Sequence, residues 1–197
     1  IGGGQVVEAD RAKARVVHVG ADRGGLVRGP DPARDPDRAV GRRHGIGGVA
    51  NRGTLAEMVE RLGGLPLQFQ PGTRWNYSVA TDVCGHLIER LSGRPLDAFL
   101  RETVLDPLGM HDTGFHVREE QRERFAACYE RAGDGFRLLD APETSAFLTP
   151  PTFLAGGGGL VSTARDYLRF CRMILGGGEL AGERILGRKT LALMRLN

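Results

Sequence analysis

The sequence predicts an α+β fold that is mostly helical and has few strands. Several segments after residue 53 place apolar residues three and four positions apart, the spacing of one buried helix face. A single stretch near residue 130 has the pattern of a β-hairpin. Strands and helices do not alternate regularly along the chain, which argues against a doubly wound parallel sheet. With 197 residues, of which 41% are hydrophobic, the chain is long enough to build a sizeable core.

The first two predicted helices have clear end signals. Thr54 and Glu57 are spaced as a capping box, in which each side chain accepts a backbone N–H of the first turn. One apolar face of this helix follows: Leu55, Met58, Val59 and Leu62. A second helix is predicted from about Ala80 to Leu91, ended by Gly93. We expect four of its apolar side chains to point inward: Val83, Leu87, Ile88 and Leu91.

The remaining elements are predicted in the same way. Pro95 can begin a third helix that continues to about residue 104, and residues 119–126 are predicted to form a charged, exposed helical segment. The turn 133–135 indicates a hairpin between strands 127–131 and 136–139. Ser162 or Thr163 caps a further helix, in which these residues should face inward: Tyr167, Phe170, Cys171 and Ile174. A last helix is predicted from Arg188 to Leu196.

The charge is concentrated at one end of the chain. Residues 1–53 hold ten basic and six acidic side chains, twelve glycines and no Phe, Tyr or Trp. Such a segment builds a core with difficulty, and we interpret it as poorly ordered or extended. Nucleic-acid binding is disfavoured because no aromatic stacking platform accompanies the charge. The predicted domain division is therefore 1–53 and 54–197.

Composition also restricts location and cofactors. No apolar run approaches the roughly 20 residues that span a bilayer, so no membrane segment is expected. No signal peptide is visible after Ile1, which favours a cytoplasmic protein. The three cysteines lack the spacing of a disulfide framework or a zinc site, and Cys84 and Cys171 are expected to be buried thiols. We expect no metal or other cofactor.

The most informative stretch for chemistry is residues 69–80, which contain the single Trp of the chain, Trp75. Tyr77 lies just before the second helix, where free backbone N–H groups and the helix dipole favour an anionic group. A tyrosine there acts as a base only where positive charge stabilises the phenolate. Two interpretations remain open, a structural tyrosine and a catalytic one. Trp75 is predicted to be a core anchor or the wall of a cleft.

Two long stretches carry a family resemblance. Residues 69–115 contain PGTRWNYS, LIERLSGRPLDAFL and LDPLGMHDTGF, and residues 156–167 read GGGGLVSTARDY. In this order they resemble the serine β-lactamase and penicillin-binding protein superfamily, closest to the branch of class C β-lactamases and β-lactamase-like carboxylesterases. The resemblance covers about residues 54–197 and implies a fold of the β-lactamase/transpeptidase type, here mainly its helical region.

The resemblance implies acyl transfer through an acyl-enzyme. Tyr77 matches the tyrosine of the family's Tyr-x-Asn element, Ser78 takes its middle position, and Val79 stands where Asn is common. Valine cannot hydrogen-bond the amide of a β-lactam or peptide, so the substitution favours esterase chemistry. The candidate catalytic residue is Tyr77, and these are the candidate substrate-binding residues: Ser78, Trp75, Gly157 and Gly158. The glycines allow either close backbone approach or a flexible turn.

The family's Ser-x-x-Lys motif is absent. None of the four serines has Lys three positions later, and the lysines are Lys13 and Lys189 alone. The triplet 189–191 could imitate the family's Lys-Thr-Gly motif, but Leu replaces Gly and the spacing indicates a helix. We therefore expect the middle of a larger domain, with the nucleophile upstream of Tyr77 and the third motif beyond Asn197. Arg outnumbers Lys 25 to 2, which is typical of GC-rich coding DNA, and residues 1–53 could be a shifted reading frame.

These observations predict a fragment of a serine hydrolase that acts on a small-molecule ester or amide and is inactive alone. Two alternatives stay open. The chain could be a non-enzymatic module that pairs with a complementary chain, or it could derive from a peptidoglycan-type D,D-peptidase.

Overall fold

The computed structural model describes residues 16–18 and 53–196. Three residues of the N-terminal segment are therefore within the described part. The interpretation of residues 1–53 as poorly ordered or extended otherwise lies outside the described residues.

Helices dominate the described part of the chain, and their bounds are α1 (Leu55–Gly63), α2 (Ala80–Ser92), α3 (Leu96–Leu100), α4 (Ala164–Leu175) and α5 (Arg188–Met194). One π-helical turn, Arg101–Leu105, continues α3. Short 3₁₀ segments cover Glu119–Arg124 and Ala146–Leu148. Among these helices none is both long enough and apolar enough to cross a bilayer.

The strands form antiparallel pairs: β1 (Val16–His18) with β4 (Val161–Thr163), β2 (Cys128–Ala132) with β3 (Gly135–Asp140), and β5 (Glu179–Leu180) with β6 (Glu183–Arg184). In the first pair Val16 lies opposite Thr163. The β2–β3 turn uses Gly133, whose φ of +59° suits a tight hairpin. The predicted α+β class with few strands is confirmed.

Local end signals locate the first two helices correctly. The Thr54 Oγ1 atom accepts the Glu57 N–H at 3.2 Å, and Glu57 Oε2 accepts the Thr54 N–H at 2.8 Å. Helix α2 ends at Gly93, whose φ of +69° is the left-handed conformation that glycine adopts without strain. Thr163 caps α4 through the N–H of Asp166.

Three apolar clusters hold the elements together. The first joins Leu55 and Met58 of α1 to Leu96 and Phe115. A second surrounds Met173 of α4 and is formed with Leu105, Leu108 and Met110. The third is smaller and includes Val161 of β4 together with Val117 and Phe125.

The helix faces depart from the predicted ones in two places. Val83, Leu87 and Leu91 of α2 are exposed, not inward, because Asp82 and Gly85 occupy the inner face. Cys84 is also exposed, so its prediction as a buried thiol is wrong. On α4, Tyr167 is exposed, because Asp166 and Met173 lie on the buried face instead.

Candidate active site

Tyr77 and Trp75 lie in an exposed loop that leads into α2. Their side chains are 83% and 84% exposed, and their ring centroids are 6.5 Å apart at 44°. The core position predicted for Trp75 is therefore wrong. The physical reason is local, since every residue from 70 to 78 is exposed and offers the indole nothing to be buried against.

Short-range contacts give this loop its shape. Gly72 turns the chain with a φ of +80°. The Thr73 hydroxyl and N–H both donate to the Gln70 carbonyl, at 2.7 and 3.2 Å. The Asn76 amide donates to Gln68 Oε1 at 3.2 Å. The loop therefore has a defined path up to Tyr77.

The first turn of α2 lacks a side-chain cap. Val79 occupies the N-cap position and offers no acceptor, whereas Thr54 caps α1. Ser78, which precedes it, is exposed. Tyr77 and Ser78 thus stand next to a helix start whose backbone N–H groups favour negative charge.

The glycine run packs directly on this helix start. The Gly157 N–H donates to Asp82 Oδ1 at 3.1 Å, and Asp82 is 9% exposed. A Cβ on Gly156 would lie 2.1 Å from the Thr81 carbonyl oxygen. A Cβ on Gly157 would lie 2.6 Å from the Thr81 Oγ1 atom. Of the two roles considered for the glycines, close backbone approach is the one these distances support. Gly158, next in the run, is half-buried.

Among residues 53–196, the serine hydroxyls are not paired with an amine. Ser145 and Ser162 are buried, bonded to Asp140 Oδ2 at 2.6 Å and to the Thr113 hydroxyl at 2.8 Å. Lys189 is exposed on α5, where the prediction that triplet 189–191 is helical is confirmed. Within residues 53–196, no cluster of three or more metal-ligating side chains is arranged to hold an ion.

A buried polar network that was not predicted from the sequence centres on Asp166. This carboxylate, 4% exposed, accepts the Asp112 N–H at 2.8 Å and the Thr113 hydroxyl at 2.9 Å. The network ties the 110–114 turn to α4. The network residues lie in two of the motifs that carry the family resemblance: Asp112 and Thr113 in HDTGF, and Asp166 in STARD.

The Asp112 carboxylate extends the network toward the surface. It accepts two hydrogen bonds from the Arg124 guanidinium, at 2.9 and 2.5 Å, and one from Gln121 at 3.1 Å. The hydrogen bonding from Arg124 lowers the pKa of Asp112, and Asp112 in turn raises the pKa of Arg124. These groups stabilise the fold and lie outside the candidate site.

Comparison with known proteins gives the family. The sequence model of the family described as Beta-lactamase matches residues 7–197, so the match includes most of the segment in which the motifs showed no resemblance. An uncharacterized protein of Mycobacterium tuberculosis is 46% identical over 134 residues, covering 68% of this chain and 33% of that protein. Esterase EstB of Burkholderia gladioli is 38% identical over 131 residues, covering 58% and 33%.

A solved structure agrees with the sequence matches. EstCE1, described as a hydrolase with promiscuous acyltransferase activity, superposes with a TM-score of 0.59 at 29% identity over 72% of this chain and 40% of its own. The chain spans about a third of the length of the curated relatives it matches. With a family match over nearly all of its residues and the fold of a hydrolase from that group, the chain belongs to the β-lactamase family of serine hydrolases.

Proposed function

We propose that this chain contributes to a serine hydrolase that cleaves an ester or amide through an acyl-enzyme, with Tyr77 as the proton-transfer group. The observation that carries the proposal is the position of Tyr77, exposed beside the uncapped start of α2. The first backbone N–H groups of α2 have no side-chain cap beside Tyr77. The adjacent Trp75 ring offers an apolar wall for an acyl group.

The chemistry assigns a limited task to Tyr77. A serine hydroxyl adds to the substrate carbonyl, its proton passes to the base, and the base returns the proton to the leaving alkoxide or amine. Water then repeats the sequence on the acyl-enzyme and releases the acid. Since the chain has no Ser-x-x-Lys, the nucleophilic serine whose proton Tyr77 accepts has to come from outside residues 53–196.

An esterase is the favoured type of hydrolase, and a D,D-peptidase is the weaker alternative. Val79, at the N-cap of α2, offers no hydrogen bond to the amide of a β-lactam or a peptide. The similarity to esterase EstB points in the same direction. Trp75 and Ser78 would line the acyl or leaving-group side, and Gly157 and Gly158 would allow close approach of the backbone.

The first test uses the chain alone. We expect no hydrolysis of p-nitrophenyl butyrate or nitrocefin above background, and no covalent labelling by a fluorophosphonate probe. Rapid labelling, located by peptide mass spectrometry, would contradict the proposal by revealing a nucleophile within the chain.

The second test supplies the remainder of the domain. In an EstB hybrid, the region of esterase EstB that matches this chain is replaced by the corresponding residues of this chain. Tyr77→Phe in the EstB hybrid should lower kcat by about 10²–10⁴-fold, because the phenyl ring cannot carry a proton. Tyr129→Phe, at an exposed tyrosine of the hairpin, is the matched control and should leave kcat unchanged.

A folded but inactive EstB hybrid would favour the second candidate, a non-enzymatic interaction module. That candidate is supported by a separate observation, the exposed apolar face of α2.

A further inference from the structure

Three nested contacts close the segment 68–76, which we call the 68–76 loop. They join these pairs: Gln68 with Asn76, Phe69 with Arg74, and Gln70 with Thr73. The outermost contact joins two side chains, since the Asn76 amide donates to Gln68 Oε1 at 3.2 Å. In the middle pair, the guanidinium carbon of Arg74 lies 4.8 Å from the centroid of the Phe69 ring. The Gln68–Asn76 hydrogen bond therefore holds the two ends of the loop together.

The 68–76 loop depends on these internal contacts for its order. Every residue from 70 to 78 is exposed, so packing in the core does not hold this stretch. An exposed loop without such packing moves on the nanosecond to microsecond timescale. A contact that joins its two ends restricts this motion most, because it closes the whole loop.

Asn76 lies directly between the two aromatic candidate site residues, Trp75 and Tyr77. The Tyr77 ring is 83% exposed, so the direction of the ring depends mainly on the backbone on either side. On one side, this backbone enters α2, which begins at Ala80. On the other side, it is held by the hydrogen bond of Asn76 to Gln68.

We propose that Asn76 and Gln68 are positioning residues, whose hydrogen bond orders the 68–76 loop and thereby orients Tyr77 for proton transfer. The inference rests on the proposed function, because it concerns the tyrosine that the reaction uses. Neither side chain exchanges a proton with the substrate. Proton transfer requires the phenol oxygen within hydrogen-bond reach of its partner, so loop conformations that move Tyr77 away are unproductive.

The first experiment measures kcat and KM of the EstB hybrid with p-nitrophenyl butyrate. Asn76→Ala and Gln68→Ala each remove the hydrogen bond and should lower kcat about 3- to 10-fold, while KM changes less than about twofold. The double variant should lose no more than either single variant, because all three lack the same bond. Active sites are counted with a fluorophosphonate probe, so that unfolded protein does not lower kcat.

Two variants of the same loop serve as controls. Gln68→Glu keeps an oxygen that can accept from the Asn76 amide, so it should retain kcat near that of the parent hybrid. Gln70→Ala removes an exposed side chain but keeps the carbonyl oxygen that Thr73 contacts, and it should also leave kcat unchanged.

The second experiment measures the order of the loop without any hydrolysis. Trp75 is the single tryptophan of the chain, and time-resolved fluorescence anisotropy separates fast motion of its indole from tumbling of the whole molecule. In the free chain, Asn76→Ala and Gln68→Ala should increase the amplitude of the fast motion. Gln68→Glu and Gln70→Ala should leave this amplitude unchanged.

The results separate this inference from the proposed function. If Tyr77→Phe lowers kcat of the EstB hybrid but Asn76→Ala and Gln68→Ala do not, this inference alone is wrong. It is also wrong if the losses multiply in the double variant, or if the anisotropy of the free chain is unchanged. An active hybrid in which Tyr77→Phe leaves kcat unchanged contradicts the proposed function, and the anisotropy then decides whether the pair orders the loop.

Discussion

The surroundings of Asp166 and the start of α2 carry family motifs of similar length, yet they differ in how their side chains are satisfied. Around Asp166, buried polar groups find partners within the described residues: Thr113, Gln121, Ser162 and Thr163. At the start of α2, the aromatic side chains and the apolar helix face are exposed.

The motif residues of the two regions therefore differ in whether their side chains are buried and hydrogen-bonded or exposed. The residues around Asp166 hold a turn, a strand and a helix together, and their polar groups find hydrogen-bond partners within the described part of the chain. Between Trp75 and Leu91, aromatic and apolar side chains are exposed, while the inner side of this segment is fixed by Asp82 and the glycine run. The buried polar network and the candidate site thus lie in different parts of the described fold.

The substitution Asp166→Ala tests how much the buried polar network contributes to stability. Removing this carboxylate leaves the Asp112 N–H and the Thr113 hydroxyl without their acceptor, and we expect a loss of about 3 kcal/mol in the free energy of unfolding. Urea unfolding followed by far-UV circular dichroism measures it. The fluorescence of Trp75 is a poor reporter, because the indole is 84% exposed before unfolding.

The matched variant in the open region is Leu91→Gln. Its side chain is 80% exposed, so the free energy of unfolding should change by less than about 0.5 kcal/mol. Equal losses of unfolding free energy in Asp166→Ala and Leu91→Gln would show that the two regions contribute equally to stability.

The sequence predicted those features that depend on a few neighbouring residues. The Thr54–Glu57 capping box, the stop at Gly93 and the turn at Gly133 each follow from backbone requirements that a single residue type satisfies. The class of the fold followed from the spacing of apolar residues in the helices.

Burial could not be predicted where tertiary contacts decide it. Periodicity shows that α2 has an apolar stripe, but it cannot show that Asp82 and Glu89 find partners on the other side and turn the stripe outward. Gln121, in a charged segment expected to be exposed, is 2% exposed because Asp112 and Arg118 lie beside it.

Tyr77 was identified as a candidate site residue through a family motif, because the surrounding residues alone favoured a structural tyrosine. The contact between Gly157 and Asp82 joins residues 75 positions apart, and no local signal predicts it. The assignment of Tyr77, Ser78, Trp75, Gly157 and Gly158 to the site stays a prediction.

A second substitution probes the boundary between the two regions. Gly156→Ala would place a Cβ 2.1 Å from the Thr81 carbonyl oxygen, a backbone atom that cannot move aside alone. We expect a loss of about 2 kcal/mol in the free energy of unfolding, as for other overpacked positions. Urea denaturation of the free chain measures it.

Gly63→Ala is the control for this substitution. A Cβ at Gly63, the last residue of α1, meets nothing within 4 Å, and alanine favours the helix. It should be neutral or slightly stabilising. If Gly156→Ala were as well tolerated as Gly63→Ala, the glycine run would not be packed on the start of α2.

The smallest expected effect concerns the pH dependence of the closed region. Hydrogen bonds from Arg124 lower the pKa of Asp112 in the folded chain, so its stabilisation is complete above the unfolded pKa of about 3.9 and is lost as the pH falls through the lower folded value. Because both side chains are partly exposed, Asp112→Asn should cost only about 1 kcal/mol at pH 6. The difference in unfolding free energy between the parent chain and Asp112→Asn should shrink as the pH falls below the unfolded pKa of about 3.9 and through the lower folded pKa. Other carboxylates titrate in both chains and cancel in this difference, so a gap that stayed constant from pH 6 to acid would exclude the Asp112–Arg124 pair as its source.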